Sequence, residues 1–417
     1  MTKYLKKSAL FPAQIFGAPH PDLQLVVVIP AYRELSLIES LEALSDCEMP
    51  DGAVEVIVVL NDSASDTKQV KKENEAMYQQ ACTWGLANST ARRKFHVLYH
   101  SNLPAKHAGV GLARKIGLDE AVYRLEQVGH PAGMLSCYDA DTKCDKNYLV
   151  AIEKHFTSHP KLQGCSIYFE HPLEGKDFKK EVYQAIIQYE LHLRYYVHAQ
   201  RFTGFPFAFQ TIGSSMVVRA NAYQQQGGMN KRKAGEDFYF LHKFIPLGQF
   251  DELRTTRVIP SPRISERVPF GTGRAVGQLV SSEEGLTTYA PQSFVDLKEL
   301  FEFIPSWYKR KTTLIKKDIE QLSPAVQDFL KLIVFTKRLE EIRENTTTQP
   351  RFENRFFRWF NAFMVMKYVH FCRDNFYENV TVLEAGEWLL GALEGEAAWV
   401  DSLEVELLER FREIDRG

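Results

Sequence analysis

Two short runs near the N-terminus constrain the fold more than any other feature of the chain. Residues 25–29 (Leu-Val-Val-Val-Ile) and 54–60 (Val-Glu-Val-Ile-Val-Val-Leu) are rich in β-branched side chains and almost continuously apolar. A strand with one wet face alternates. A strand without alternation is covered on both faces, as in a parallel sheet held between helices. Between the two runs, Leu37, Ile38, Leu41 and Leu44 recur at helical spacing. The same reading predicts strands at 95–99, 134–138, 165–169 and 215–218, and helices at 66–84, 109–127, 147–157 and 178–198. Strand–helix alternation of this kind implies an α/β fold, a mostly parallel sheet sandwiched by helices with right-handed crossovers.

A chain of 417 residues has room for two or three domains, or for one large domain with an elaboration. The 51 basic and 53 acidic side chains leave a net charge of −2, which argues against nucleic acid as a partner bound by phosphate neutralisation. Apolar runs such as 25–31 fall far short of the ~20 residues that cross a bilayer. The N-terminal stretch lacks an uninterrupted apolar core and a small-residue cleavage site, so no signal peptide is expected. Six scattered cysteines form no Cys-x-x-Cys pair, which suits reduced thiols and a cytoplasmic location.

Composition shifts after about residue 260. Residues 261–285 are rich in Gly, Pro, Ser, Thr and Arg and read as a long loop, and 286–417 read as all-α. The expected organisation is therefore 1–260 as an α/β domain, 261–285 as a loop, and 286–417 as a helical region. Within the last, residues 351–377 mix aromatic and basic side chains, with apolar residues at 356, 357, 360, 363 and 364. A packing helix is favoured there over a membrane-surface helix, so membrane contact is at most peripheral. Self-association through the helical region stays open.

In open α/β sheets, ligands bind beyond the carboxyl ends of the strands. Each buried strand here runs into polar residues at that edge: Pro30-Ala31-Tyr32-Arg33-Glu34, then Asn61-Asp62 through Asp66, then Tyr138-Asp139-Ala140-Asp141. A dinucleotide fingerprint would need Gly-x-Gly-x-x-Gly after the first strand. None is there, and Gly109-Val110-Gly111 is followed by Arg114 where the third glycine belongs. A Walker loop is also absent.

Taken in order, these motifs, with Ala113-Arg114 and Gly235-Glu236-Asp237, resemble the family 2 glycosyltransferases of GT-A fold over about residues 24–260. The second motif departs from the usual Asp-Asp-Gly-Ser, and the closing Arg-Trp pair is missing. The resemblance implies a GT-A-like, Rossmann-type sheet and a nucleoside-diphosphate-sugar donor. Pro30, Tyr32, Glu34, Asp62, Arg114 and Asp139 would bind that donor. Asp141, with Asp139, would hold Mn²⁺ or Mg²⁺, hard cations that suit carboxylate oxygens. Asp237 would be the general base toward an acceptor hydroxyl, supported by Glu236, in a single displacement with inversion. The acceptor itself is not legible.

Blander readings stand beside several of these roles. Asp62 and Asp66 suit a turn and a helix cap, and Glu34, Glu236 and Asp237 suit first-turn acids favoured by helix dipoles. Arg114 suits a solvated helix face, and His242 a packed residue. The 261–285 loop reads equally as a linker or as a lid whose Arg267 or Arg274 reaches the diphosphate. Rival functions are a nucleotidyltransferase, a retaining glycosyltransferase, and a silent sugar- or nucleotide-binding protein.

Overall fold

The computed structural model describes residues 2–267, 271–282, 284–395 and 402–417. The chain divides into two compact units, one of Met1–Tyr183, Thr211–Gly277 and Asp415–Gly417, the other of Gln184–Gln210 and Gln278–Ile414. This differs from the expected plan, because residues 184–210 group with the C-terminal helices and the break falls at 277 rather than 260. The long helix Lys180–Phe202 contributes most of its length to the second unit.

The first unit contains an eight-stranded sheet. In chain order its strands are β1 (Leu23–Ala31), β2 (Ala53–Ser63), β3 (Arg93–Leu103), β4 (Met134–Cys137), β5 (Lys143–Cys144), β6 (Gly164–Phe169), β7 (Met216–Arg219) and β8 (Phe250–Ile259). They lie in the order β3-β2-β1-β4-β7-β6-β8-β5. β1, β2, β3 and β4 are mutually parallel, and β6 runs parallel to β8. β7 is inserted antiparallel between β4 and β6. The expected mostly parallel α/β sheet is present, and all six predicted strands appear in it.

Two strands were not legible as strands. β8 is mostly polar in Phe250-Asp-Glu-Leu-Arg-Thr-Thr-Arg-Val-Ile259, because one neighbour is only the two-residue β5 and its exposure is higher. The run Thr255-Thr256-Arg257-Val258-Ile259 ahead of Pro260 was the signal available. The carboxyl end of β8 opens on the same edge as those of β1, β2 and β4.

The helix Val110–Gln127 is buried on nearly every side, from Gly111 to Leu125. Gly117 makes that possible: a Cβ there would lie 2.4 Å from Val28 Cγ1 and 3.0 Å from Val59 Cγ2. Any side chain would lift the helix off β1 and β2, so the glycine sets the depth at which Arg114 sits.

The second unit is mainly helical, as expected, with a small antiparallel pair, Thr287–Thr288 with Val380–Thr381, that the sequence did not suggest. The stretch 351–377 is two helices, Gln349–Trp359 and Ala362–Asn375, because the Asn361 side chain accepts from the amides of Phe363 and Met364 and starts a new helix. The burial phase resets there. Phe352, Phe356, Ala362, Val365 and Val369 are buried, whereas Phe363 and Met364 are half-exposed. Phe301, Phe356, Phe357 and Phe360 form one aromatic cluster, which is the packing role. No helix among the described residues is long and apolar enough to cross a membrane.

Candidate active site at the carboxyl edge of the sheet

Topology assembles the site. Cys137 pairs with Val28, so Asp139 and Asp141 follow β4 out of the sheet beside the Pro30–Glu34 exit of β1. Because β7 runs the other way, it begins at this edge, with Met216 opposite Cys137, and delivers Gly213, Ser214 and Ser215 there. β8 then leads through Pro260 and Pro262 to Arg263 and Arg267.

Arg114 is the centre of the charge arrangement and is fully buried. Its Nη2 donates to Asp139 Oδ1 at 2.5 Å, and its Nη1 donates to Glu236 Oε1. The solvated-face reading of Arg114 is thereby excluded. Burial alone would weaken its charge, but Asp139 and Glu236 raise its pKa well above the ordinary arginine value. The guanidinium lies against Gly213, where a Cβ would stand 2.5 Å from Nη2 and 2.8 Å from Nη1. Sequence reasoning passed over Gly213. Gly213→Ala would force the fork off one of its carboxylates. The expected loss is about 1–3 kcal/mol, the usual range for overpacking, seen as a lower melting temperature together with lower turnover. An unchanged melting curve would show that the loop yields freely.

Glu236 and Asp237 open the short helix Glu236–Leu241 after Gly235, whose φ of 67° needs a residue tolerant of the left-handed region. Glu236 is buried on Arg114, whereas Asp237 is half-exposed and accepts from the Phe238 amide at 2.7 Å. Burial raises the Asp237 carboxyl above the usual aspartate range despite the pull of Arg114, and nearby Asp139 adds to the rise. His242 packs on Phe238 with ring centroids 4.4 Å apart, and burial lowers its pKa to about 4. It is a neutral packed imidazole.

Glu34 is buried because Arg33 ahead of it takes φ 50° and is fixed by its amide donating to Asn74 Oδ1 at 2.9 Å. That turn aims Glu34 into a second charge cluster. Arg263 Nη2 stands 2.6 Å from Glu34 and 2.5 Å from Asp141, and Arg267 Nη2 stands 2.7 Å from Glu34. Arg267 Nη1 also donates to the Tyr32 carbonyl at 2.5 Å. Burial raises Glu34, and burial followed by the proximity of Glu34 and Asp139 raises Asp141 to about 7, with Arg263 opposing both. Tyr32 is half-buried, and burial with the nearby Asp66 pushes its hydroxyl up to about 12.

The remaining expected residues divide. Asp62 is buried, and both its oxygens serve the fold, accepting from Tyr99 Oη at 2.5 Å and the Asn102 amide at 2.7 Å. Asp66 closes the turn through Ser63 at 2.8 Å, while Thr67, not Asp66, caps the following helix. Pro30 is half-buried at the end of β1. Arg274 is exposed on a helix, Thr272–Val280, inside the stretch expected to be loop, and takes no part in the ion pairs above. Residues 268–270 and 283 of the expected lid lie outside the described residues. Arg263, which joins Glu34 after β1 to Asp141 after β4, was not singled out by sequence reasoning.

Among the described residues no three metal-ligating side chains converge on one point. Asp139 and Asp141 offer only carboxylate oxygens, donors whose chemistry suits a hard divalent cation that takes the rest of its ligands from phosphate and water.

A family model described as glycosyl transferase family group 2 matches residues 135–281. That stretch holds Asp139, Asp141, Glu236, Asp237, Arg263 and Arg267, while the Pro30–Glu34 and Asn61–Asp66 motifs precede it. No curated protein matches the chain. Among solved structures, S. aureus TarS residues 1–349 in complex with UDP-GlcNAc shares 13% identity at a TM-score of 0.39, over 94% of this chain and 92% of that one. The same fragment in complex with UDP shares 12% identity at a TM-score of 0.39, over 81% and 91% of the two chains. Asp139, Asp141, Glu236 and Asp237 all fall inside that match, and residues 135–281 are a family 2 glycosyltransferase region.

Proposed function

We propose that the protein transfers a sugar from a nucleoside-diphosphate sugar to an acceptor hydroxyl, by a single displacement with inversion. The observation that carries this reading is the Arg114 fork, whose two nitrogens hold Asp139 from the donor-side motif and Glu236 from the base-side motif. One guanidinium thus fixes the two motifs relative to each other, which is the positioning that a displacement between donor and acceptor requires.

In this reading the bond from the anomeric carbon to the diphosphate oxygen breaks, and its electron pair leaves with the nucleoside diphosphate. The acceptor oxygen forms the new bond from the opposite face while Asp237 takes its proton. Glu236 and Arg114 hold Asp237 and Asp139 in place. Arg267 would bring positive charge to the diphosphate. A divalent cation held by Asp141 and Asp139 would neutralise charge on the leaving group. Without some cation, a diphosphate approaching these carboxylates meets repulsion.

The test is calorimetry or thermal shift with a panel of nucleoside diphosphates and nucleotide sugars, with Mn²⁺ or with chelator. A true ligand at 100 times its dissociation constant adds about 2.7 kcal/mol of stability. Asp141→Ala is expected to abolish the Mn²⁺ dependence. Equal nucleotide affinity in Mn²⁺ and in chelator would remove the cation from the site. The anomeric configuration of the first-formed product, read by proton NMR, decides inversion against retention.

A further inference from the structure

One nitrogen stands where two carboxylates from different strand ends meet. Arg263 Nη2 lies between Glu34 Oε2, at 2.6 Å, and Asp141 Oδ2, at 2.5 Å. A single positive centre shared by two carboxylate oxygens has the placement of a bridging cation. Divalent ions take such oxygens at ~2.0–2.6 Å, so the gap admits a guanidinium nitrogen or an ion, not both. Sequence separation sharpens the point, since Glu34 and Arg263 are 229 residues apart and meet only because β1 and β8 open on one edge.

The guanidinium is also poorly satisfied in this position. Arg263 Nε is buried with no hydrogen-bond partner among the described residues. A buried donor left unmade opposes the ion pairs around it, which lowers the cost of giving up the position. We propose that Arg263 is a tethered counter-cation: in the donor-free enzyme it occupies the Glu34–Asp141 position, and it yields that position to a divalent cation arriving with the donor's diphosphate. The proposal rests on the donor-site reading above and extends it, because it makes Glu34 a cation contact and Arg263 the residue that sets how cation and donor couple. Arg263 acts through the carboxylates, so it is a positioning residue. The cation alone cannot displace it readily. Added diphosphate charge tips the balance toward the divalent ion.

Binding of Mn²⁺ alone to the donor-free full chain, followed by the electron paramagnetic resonance signal of free Mn²⁺, tests this without any turnover. Arg263→Gln is expected to bind Mn²⁺ at least 10-fold more tightly than the parent. Adding Glu34→Gln to that variant should remove the gain. Losing a positive charge strengthens Mn²⁺ binding at any nearby carboxylate, so the dependence of the gain on Glu34 is what identifies the shared position. Equal or weaker Mn²⁺ binding by Arg263→Gln, with a melting temperature near the parent's, overturns the proposal, and so does a gain that survives Glu34→Gln. In the unaltered chain, uridine, adenosine and guanosine diphosphates provide a second measurement. The one that binds should tighten Mn²⁺ at least 10-fold, and uncoupled binding of the two overturns the exchange even if Arg263→Gln does not fold. If none of the nucleotides binds while Arg263→Gln still gains Mn²⁺, the donor reading falls and the counter-cation role stands.

Discussion

Asp237→Asn should lower turnover by at least ~100-fold, the lower end of what general bases contribute, while leaving donor binding and melting temperature nearly unchanged. A sugar hydroxyl is a weak nucleophile until its proton begins to leave, so a carboxylate must stand within hydrogen-bond reach. Asp237 is the half-exposed member of the acidic pair, whereas Glu236 is committed to buried Arg114. Asparagine keeps the size and still offers an oxygen to the Phe238 amide, so the helix start survives. The pH profile gives a second check with a definite sign. Burial raises Asp237 above the usual aspartate range, so the base is lost to protonation at a higher pH than an exposed aspartate would be. The acid limb of kcat/KM should fall there as pH drops, and Asp237→Asn should erase that limb. Turnover within about threefold of the parent, far below the ~100-fold minimum, would move the base assignment to Glu236.

Arg114→Met is expected to have the largest effect on stability. The side chain is 3% exposed, as is that of its partner Glu236, and removing one member of a buried pair typically costs about 3–5 kcal/mol. For a unit of this size that corresponds to a melting temperature lower by roughly 10 °C. The loss comes from Glu236 left in the interior without its counter-charge, with Asp139 released toward solvent, more than from the missing contact. The companion variant separates the two effects. Arg114→Met with Glu236→Met removes both buried charges, and such apolar replacements are often neutral for stability. The double variant should therefore regain most of the melting temperature yet stay inactive, since Asp139 has lost its anchor. A single Arg114→Met that melts within 2 °C of the parent, against the ~10 °C expected, would mean that the fork is solvated and not structural.

Much of the first unit was legible because its signals are local. Apolar runs 25–29 and 54–60 identify doubly covered strands wherever they sit, since the absence of alternation reports burial on both faces. Polar residues directly after such runs must emerge at the carboxyl edge, which puts Glu34, Asp62, Asp139 and Asp141 at one edge of the sheet. The limits were local too. β8 was missed because a strand with one short neighbour keeps polar residues, and its pattern does not stand out from a loop. The helix Thr272–Val280 was hidden by the glycines within it.

The sequence by itself determined the class of sheet, the edge at which its polar strand ends gather, and the acidic residues available there. Only the tertiary structure decided which charge answers which. Arg114 meets Glu236 across 122 residues and Glu34 meets Arg263 across 229. Those pairings depend on strand order, on β7 running backward to deliver Gly213 beneath the guanidinium, and on β8 ending beside β1. No pattern of period two or 3.6 carries such information. Hydrophobic periodicity reports whether a residue faces the core, whereas an ion pair depends on where two distant segments have been brought by everything folded between them.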